Sequence, residues 1–115
     1  MRRGEIWLAD LEPVIGGEAD KARPVVVVSN NGANTAAERL GQGVVTVVPV
    51  TSNVKTVYAF QTYLPRAGTG LRHNSKAQAE QVRSIDARRL SRKVGIVPAA
   101  QLRELDDALR VHLGL

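Results

Sequence analysis

The amino-acid sequence predicts a small, mainly β domain, in which short strands wind into a strongly bent antiparallel sheet or partial barrel. A short internal helix and a C-terminal α-helix complete it. Two observations carry this reading. Two continuous β-branched runs, PVVVVS at residues 24–29 and VVTVVPVT at residues 44–51, have the character of core strands buried on both faces. Towards the other end, Leu102, Leu105, Leu109 and Leu113 recur at spacings of three and four between Pro98 and Gly114, which makes one apolar helix face bounded by a proline start and a glycine stop. The chain has 115 residues, 43% hydrophobic and 23% charged. It is read as a single domain, residues 1–115, with chain enough for one core and a composition unlike that of disordered segments.

Residues 4–11 (GEIWLADL) alternate Ile6 and Leu8 with charged Glu5 and Asp10 and predict a half-buried strand. Residues 12–23 follow with Pro13, the pair Gly16-Gly17 and several charges, a composition that suits an exposed loop and not a strand interior. After the first valine run, residues 30–43 open on Asn-Asn-Gly and contain Ala36, Ala37, Glu38, Arg39 and Leu40, a short helix inside a surface connection. Beyond the second run, residues 57–64 (VYAFQTYL) predict another strand, and residues 65–74, rich in glycine and basic side chains, predict a loop. Residues 75–85 (SKAQAEQVRSI) then read as a polar, bent strand. Asp86 is placed to cap a helical turn through Leu90, residues 94–97 to form a last short strand, and Pro98 to take the first position of the closing helix. The apolar face of that helix suits either its own sheet or a share in a dimer interface.

Sixteen Lys and Arg against eleven Asp and Glu leave a formal charge of +5. Most of the excess follows Val57, concentrated at Arg83, Arg88, Arg89, Arg92 and Lys93 with only Asp86 between. Such a stripe favours polyanionic partners, although solubility alone accounts for a charge of this size. The absence of cysteine excludes disulfides, thiolate metal sites and a cysteine nucleophile. No apolar stretch approaches the roughly 18 residues of a membrane span, so a soluble, cytoplasmic protein without a membrane partner is expected. Phosphate-loop, dinucleotide, HExxH and EF-hand patterns are missing, and no cofactor or metal is expected. His73 lies in the basic loop and His112 on the closing helix, and both read as structural or solvated.

Chemistry is suggested by the two valine runs. Arg23-Pro24 heads the first, and Thr51-Ser52-Asn53 stands where the second runs out. If the runs are neighbours, Arg23 and Thr51 emerge together and face one phosphodiester, which arginine can clamp with two parallel hydrogen bonds. From spacing alone the favoured reading is the plainer one, an arginine salt-bridged to Glu18 or Asp20 beside a Thr-Ser turn.

The blocks Arg3-Gly4-Glu5-Ile6-Trp7, Asp10-Leu11, Pro13, Gly16, Glu18, Arg23-Pro24-Val25-Val26-Val27-Val28, Pro49-Val50-Thr51-Ser52 and Gln81-Val82-Arg83-Ser84-Ile85-Asp86, followed by Arg89-Leu90, resemble the MazF/PemK-type toxin endoribonucleases in order and spacing over almost the whole chain. The resemblance implies an SH3-like antiparallel β-barrel of the CcdB/PemK type, assembled as a homodimer. It also implies cleavage of single-stranded RNA (messenger, ribosomal or transfer) at short motifs without metal or cofactor, and inhibition by a cognate MazE-like antitoxin. Carried over residue by residue, Arg23 and Thr51 are the catalytic pair. A ribose 2′-OH attacks the adjacent phosphate, leaving a 2′,3′-cyclic phosphate and a 5′-OH, so the nucleophile is supplied by the substrate. A guanidinium that stays charged suits stabilisation of the phosphorane better than proton transfer, and Glu18 is the candidate base.

RNA contacts are expected from Lys21, Ser52, Asn53, Lys55, Glu80, Gln81 and Arg83. Only Trp7, Tyr58, Phe60 and Tyr63 are aromatic, too few for an extended stacking platform, so base readout by hydrogen bonds is expected. An acidic antitoxin segment would lie along the stripe from Arg83 to Lys93. The rival readings are a CcdB-like toxin that binds a protein such as gyrase and cuts nothing, and a noncatalytic SH3-like nucleic-acid module.

Overall fold

In the computed structural model, which describes residues 1–11 and 22–115, the two valine runs lie side by side at the centre of one antiparallel sheet. Its seven strands are β1 (Glu5–Asp10), β2 (Ala22–Val27), β3 (Val44–Thr51), β4 (Gln61–Leu64), β5 (Ser75–Gln78), β6 (Arg83–Asp86) and β7 (Leu90–Ile96). The helices are α1 (Asn31–Leu40) and α2 (Ala99–Leu113). The strands follow the order β4-β5-β3-β2-β1-β7, and β6 adds to β3 beside β5.

The longest strand, β3, is bonded along both edges. On one edge Val47, Val48 and Pro49 pair with Val27, Val26 and Val25 of β2. On the other, residues 44–47 pair with β6, and Val50 and Thr51 pair with Ala77 and Lys76 of β5. Both faces of the central strands are covered. Ile6, Val26, Val48, Val50, Leu64 and Ala77 pack with Leu105 and Ala108 of α2, whereas Ala9, Leu11, Val25, Val45, Val47 and Ile85 pack with Ala37 of α1. Two covered faces are the reason the runs show no polar alternation. Asn30 caps α1 by accepting the Ala33 amide, and Gly41 ends the helix in the left-handed conformation at φ 66°.

Several expectations need correction. The sheet is open: β4 and β7 end the path and do not pair among the described residues, so the barrel that the resemblance implies is not closed. Residues 75–85 are not one bent strand, because β5 and β6 share an edge of β3 and the chain must turn between them, which it does in the 3-10 turn Ala79–Gln81. The strand expected over residues 57–64 is confined to Gln61–Leu64. Ahead of it, Tyr58 and Phe60 stack on each other with ring centres 5.2 Å apart. Ala22 and Arg23 belong to β2 and not to the preceding loop, since they pair with Asp10 and Ala9 of β1; residues 12–21 of that loop lie outside the described residues.

Strand β7 starts at Leu90, directly after the turn Ala87–Arg89 that Asp86 caps, and not at Val94. Pro98 is the residue before α2 and not its first, its carbonyl accepting the Leu102 amide at 2.9 Å. The apolar face of α2 packs on its own sheet through Leu105 and Ala108, with Leu102 and Leu109 beside them. Leu113, at 54% exposure, lies beyond that contact.

One close approach fixes the loop over residues 65–74. A Cβ at Gly95 of β7 would lie 1.8 Å from the Thr69 carbonyl oxygen, and one at Gly70 2.4 Å from the Val94 carbonyl oxygen. The two backbones therefore touch, and no side chain fits between them. Gly95→Ala is expected to cost about 3 kcal/mol, because backbone and not a flexible side chain must yield, measured as a lowered urea midpoint. An unchanged midpoint would show that the loop is not seated on β7.

Candidate active site

The bonded ladder between β2 and β3 stops at Val25–Pro49, where proline offers no N–H to extend it. Continued two positions past its last bonded pair, the same register would set Arg23 of β2 across from Thr51 of β3. Residues opposed in this way have Cα atoms about 4.5–5.5 Å apart in regular antiparallel pairs and present their side chains to one face. The same row continues on both sides: Ala9 of β1 opposes Arg23, Lys76 of β5 opposes Thr51, and Tyr63 of β4 opposes Lys76. Arg23 is exposed and Thr51 half-buried.

The Thr51 hydroxyl is oriented by its own turn. Its Oγ1 accepts the Asn53 amide at 3.2 Å, and the Asn53 Oδ1 accepts the Lys55 amide at 3.2 Å. With a lone pair so engaged, the hydroxyl keeps its proton to donate. A fixed guanidinium charge and a hydroxyl donor at one strand mouth make an anion site, and the charge of arginine persists at any physiological pH.

Residues 52–60 are held from beneath. Lys76 Nζ donates to the Thr56 carbonyl at 2.6 Å and lies 5.8 Å from the Tyr58 ring centre. Gln61 accepts the Tyr58 amide at 3.1 Å and donates to Glu80 Oε2 at 2.7 Å. The other carboxylate oxygen of Glu80 is buried with no hydrogen-bond partner among the described residues.

Arg23 and Thr51 thus stand at the ends of the paired runs of β2 and β3, with Asn53 and Lys55 on the exposed turn that follows. Ser52 instead lines a cleft of about 580 Å³ with Pro24, Leu71, Arg72, His73 and Arg92. Glu80, Gln81 and Arg83 do not form the single polar strand face that was expected. Glu80 is half-buried against Gln61, Gln81 is exposed on the 3-10 turn, and Arg83 opposes Val47, four residues along β3 from Thr51, a distance of roughly 13 Å. Glu18 and Lys21 lie outside the described residues. Sequence reasoning missed Lys76 and Gln61, which stand in polar stretches with no pattern to single them out.

The basic stripe is largely engaged within the chain. Arg88 pairs with Asp86 at 2.7 Å, Lys93 with Glu5 at 3.0 Å, and Arg89 donates to the Asp10 carbonyl at 3.0 Å. Burial works to raise the Glu5 pKa, but hydrogen bonds from Trp7, Lys93 and the Arg2 amide outweigh it and hold the carboxyl below its ordinary value. The Arg88 side chain and amide together lower Asp86 to about 2.

A family model described as the PemK-like, MazF-like toxin of type II toxin–antitoxin systems matches residues 2–113. The chain is 59% identical to "Endoribonuclease MazF9" of Mycobacterium tuberculosis over 115 residues, covering all of this chain and 98% of the relative. Among solved structures, the fold is similar to a MazE–MazF complex from Deinococcus radiodurans, with TM-score 0.80, 29% identity and coverage of 100% of this chain and 96% of that one. It is also similar to a mycobacterial endoribonuclease bound to its cognate antitoxin, with TM-score 0.79, 23% identity and coverage of 100% and 96%.

Because the folded pKa of Asp86 is depressed to about 2 from 3.8, its contribution to stability is complete above the unfolded value and is lost as pH falls through the folded one. Asp86→Asn is therefore expected to lower stability at neutral pH and to flatten the acid loss between pH about 4 and about 2. Parallel wild-type and variant pH titrations of the thermal midpoint would check this, and superimposable curves would contradict it.

Proposed function

Since the chain belongs to the PemK-like, MazF-like toxins of type II toxin–antitoxin systems, we propose that it is a sequence-specific endoribonuclease toxin whose cutting centre is the pair Arg23 and Thr51. The observation that supports this reading is the register of β2 on β3, which, continued two positions beyond Val25–Pro49, would set Arg23 opposite Thr51.

Single-stranded RNA enters with one phosphodiester at that mouth. The 2′-oxygen forms a bond to the adjacent phosphorus while the bond from phosphorus to the 5′-oxygen breaks. The 2′-hydroxyl loses its proton and the leaving 5′-oxygen gains one, giving a 2′,3′-cyclic phosphate and a 5′-OH. As negative charge grows on the nonbridging oxygens, the Arg23 guanidinium and the Thr51 hydroxyl donate to them, an interaction stronger in the transition state than in the ground state. Because the substrate carries its own nucleophile, the protein's task is alignment and charge stabilisation. Glu18 is proposed to take the 2′ proton. Ser52, Asn53 and Lys55 flank the reacting phosphate, while Lys21, Glu80, Gln81 and Arg83 contact the RNA further out.

The active unit is proposed to be a homodimer in the cytoplasm, and exposed apolar side chains at Ile96, Val111 and Leu113 support a protein contact. A MazE-like antitoxin with an acidic segment is the proposed inhibitor, in keeping with the antitoxin complexes of the similar structures.

In EDTA, the wild-type dimer is expected to cut a mixed-sequence RNA at one short motif, leaving the ends named above. Arg23→Ala and Thr51→Ala should each slow cleavage by about a hundredfold or more, the loss typical of one oxyanion donor. Gel mapping of the product ends decides this, and intact RNA in every lane with folded protein would favour the CcdB-like reading. Glu18→Gln at full rate would leave Glu18 a loop or substrate-binding residue. RNA and antitoxin affinity should both fall steeply from about 50 to about 200 mM salt, measured by fluorescence anisotropy; a flat salt profile would remove the cationic surface from the account.

A further inference from the structure

We propose that Lys76 is a positioning residue of the cutting centre, holding residues 52–60 closed so that Asn53 and Lys55 stand at a fixed distance from the phosphate at Thr51. The inference rests on Arg23 and Thr51 being that centre.

Lysine is among the residues least often buried unless paired, yet Lys76 is only 7% exposed. No carboxylate among the described residues pairs with its ammonium. It donates instead to a main-chain oxygen, that of Thr56, at 2.6 Å, and faces the Tyr58 ring at 5.8 Å. A carbonyl and a ring quadrupole are what a desolvated ammonium requires in place of a counter-ion.

Both contacts are to one segment. Residues 52–60 join Thr51 to β4, and Lys76, opposite Thr51 in the ladder, is anchored in the sheet beneath them. The Tyr58 ring in contact with Lys76 stacks on Phe60 at an interplanar angle of 4°. A second tie, the Tyr58 amide to Gln61 and Gln61 to Glu80, closes the far end of the segment. Segments of this kind open locally at low free energy unless specific contacts hold them. The consequence falls on substrate grip. The Asn53 amide keeps its own bond to the Thr51 hydroxyl, and what Lys76 holds directly is Thr56 and Tyr58, so releasing them should loosen the RNA contacts around the cut, raising KM and leaving kcat nearly unchanged.

The test uses the full chain and three variants: Lys76→Met, which keeps the stem and removes the donor; Lys76→Arg, which returns a cation; and Tyr58→Leu, which removes a ring that is 53% exposed. Two readouts are taken: hydrogen exchange at the Lys55 and Tyr58 amides, and KM and kcat on an RNA oligonucleotide containing the cleaved motif. Lys76→Met is expected to speed exchange and raise KM, each about tenfold, with kcat within about twofold, and Lys76→Arg to recover most of both, the scale of one hydrogen bond from a charged donor. Should Lys76→Met fail to fold, Tyr58→Leu carries the test, with an expected rise of about threefold in both readouts from the lost cation–ring contact; unchanged values would overturn the proposal. A fall in kcat with exchange unchanged would also overturn it, making Lys76 a direct phosphate ligand. If wild type cuts no RNA, the reading of Arg23 and Thr51 fails by itself, and the exchange rates still decide whether Lys76 holds the segment.

Discussion

The shared pairing of β3 is the constraint on which the site depends. Eight residues, Val44–Thr51, bond to β2 along one edge and to β6 and then β5 along the other. A slip of one residue would send Val48 and Val50 to the α1 side and Val45 and Val47 to the α2 side, exchanging every buried side chain for one facing the other way. Apolar packing on two faces therefore sets the register, and the register sets which ends of β2 and β3 adjoin. Pro49 adds the opening, since the ladder with β2 goes no further than the position at which proline stands. A polar pair is held in place by valines several residues away.

That origin explains the kind of chemistry the centre suits. The hydroxyl of Thr51 is turned by the Asn53 amide, so the proposed centre suits preorganised electrostatic stabilisation. RNA is a substrate that such a device can serve, because the 2′-hydroxyl is already beside the phosphorus it attacks. Family membership rests on a match over residues 2–113, and the proposed pair lies at the ends of the two central strands. The segments around the mouth, residues 52–60 and 65–74, are connections rather than strands, and connections vary in sequence at little cost to the scaffold that carries them.

Much of this was legible because the signals were strong and local. The valine runs, the Asn-Asn-Gly opening of the helix within residues 30–43, the Asp86 cap and the leucine spacing of α2 each state a preference that tertiary packing had no reason to oppose. Where the reading failed, the deciding force was nonlocal. Residues 75–85 look like one polar strand, but competition of β5 and β6 for an edge of β3 breaks them at the turn Ala79–Gln81. Residues 57–60 have strand-forming side chains, yet stacking of Tyr58 on Phe60 and the hold of Lys76 take them out of the ladder. The stripe from Arg83 to Lys93 counted charges without their partners, and Glu5, distant in sequence, neutralises Lys93 across the β1–β7 pair. Within the proposed site, Arg23 and Thr51 were singled out from two run ends, while Lys76 stands in a polar stretch and is marked only by its burial and by the residues it opposes.

The central claim is that Arg23 and Thr51 bind one and the same phosphate. It is tested most directly by titrating the isotopically labelled protein with an RNA oligonucleotide carrying a single 2′-deoxy substitution at the cut, which can bind but not be cleaved, and following the Arg23 side-chain Nε–H and the Thr51 methyl resonances by NMR. The account predicts that both shift together, saturate with one Kd and lose their response when the substituted nucleotide's 3′-phosphate is replaced by an uncharged linkage. Saturation of other sites while either resonance stays fixed would contradict it.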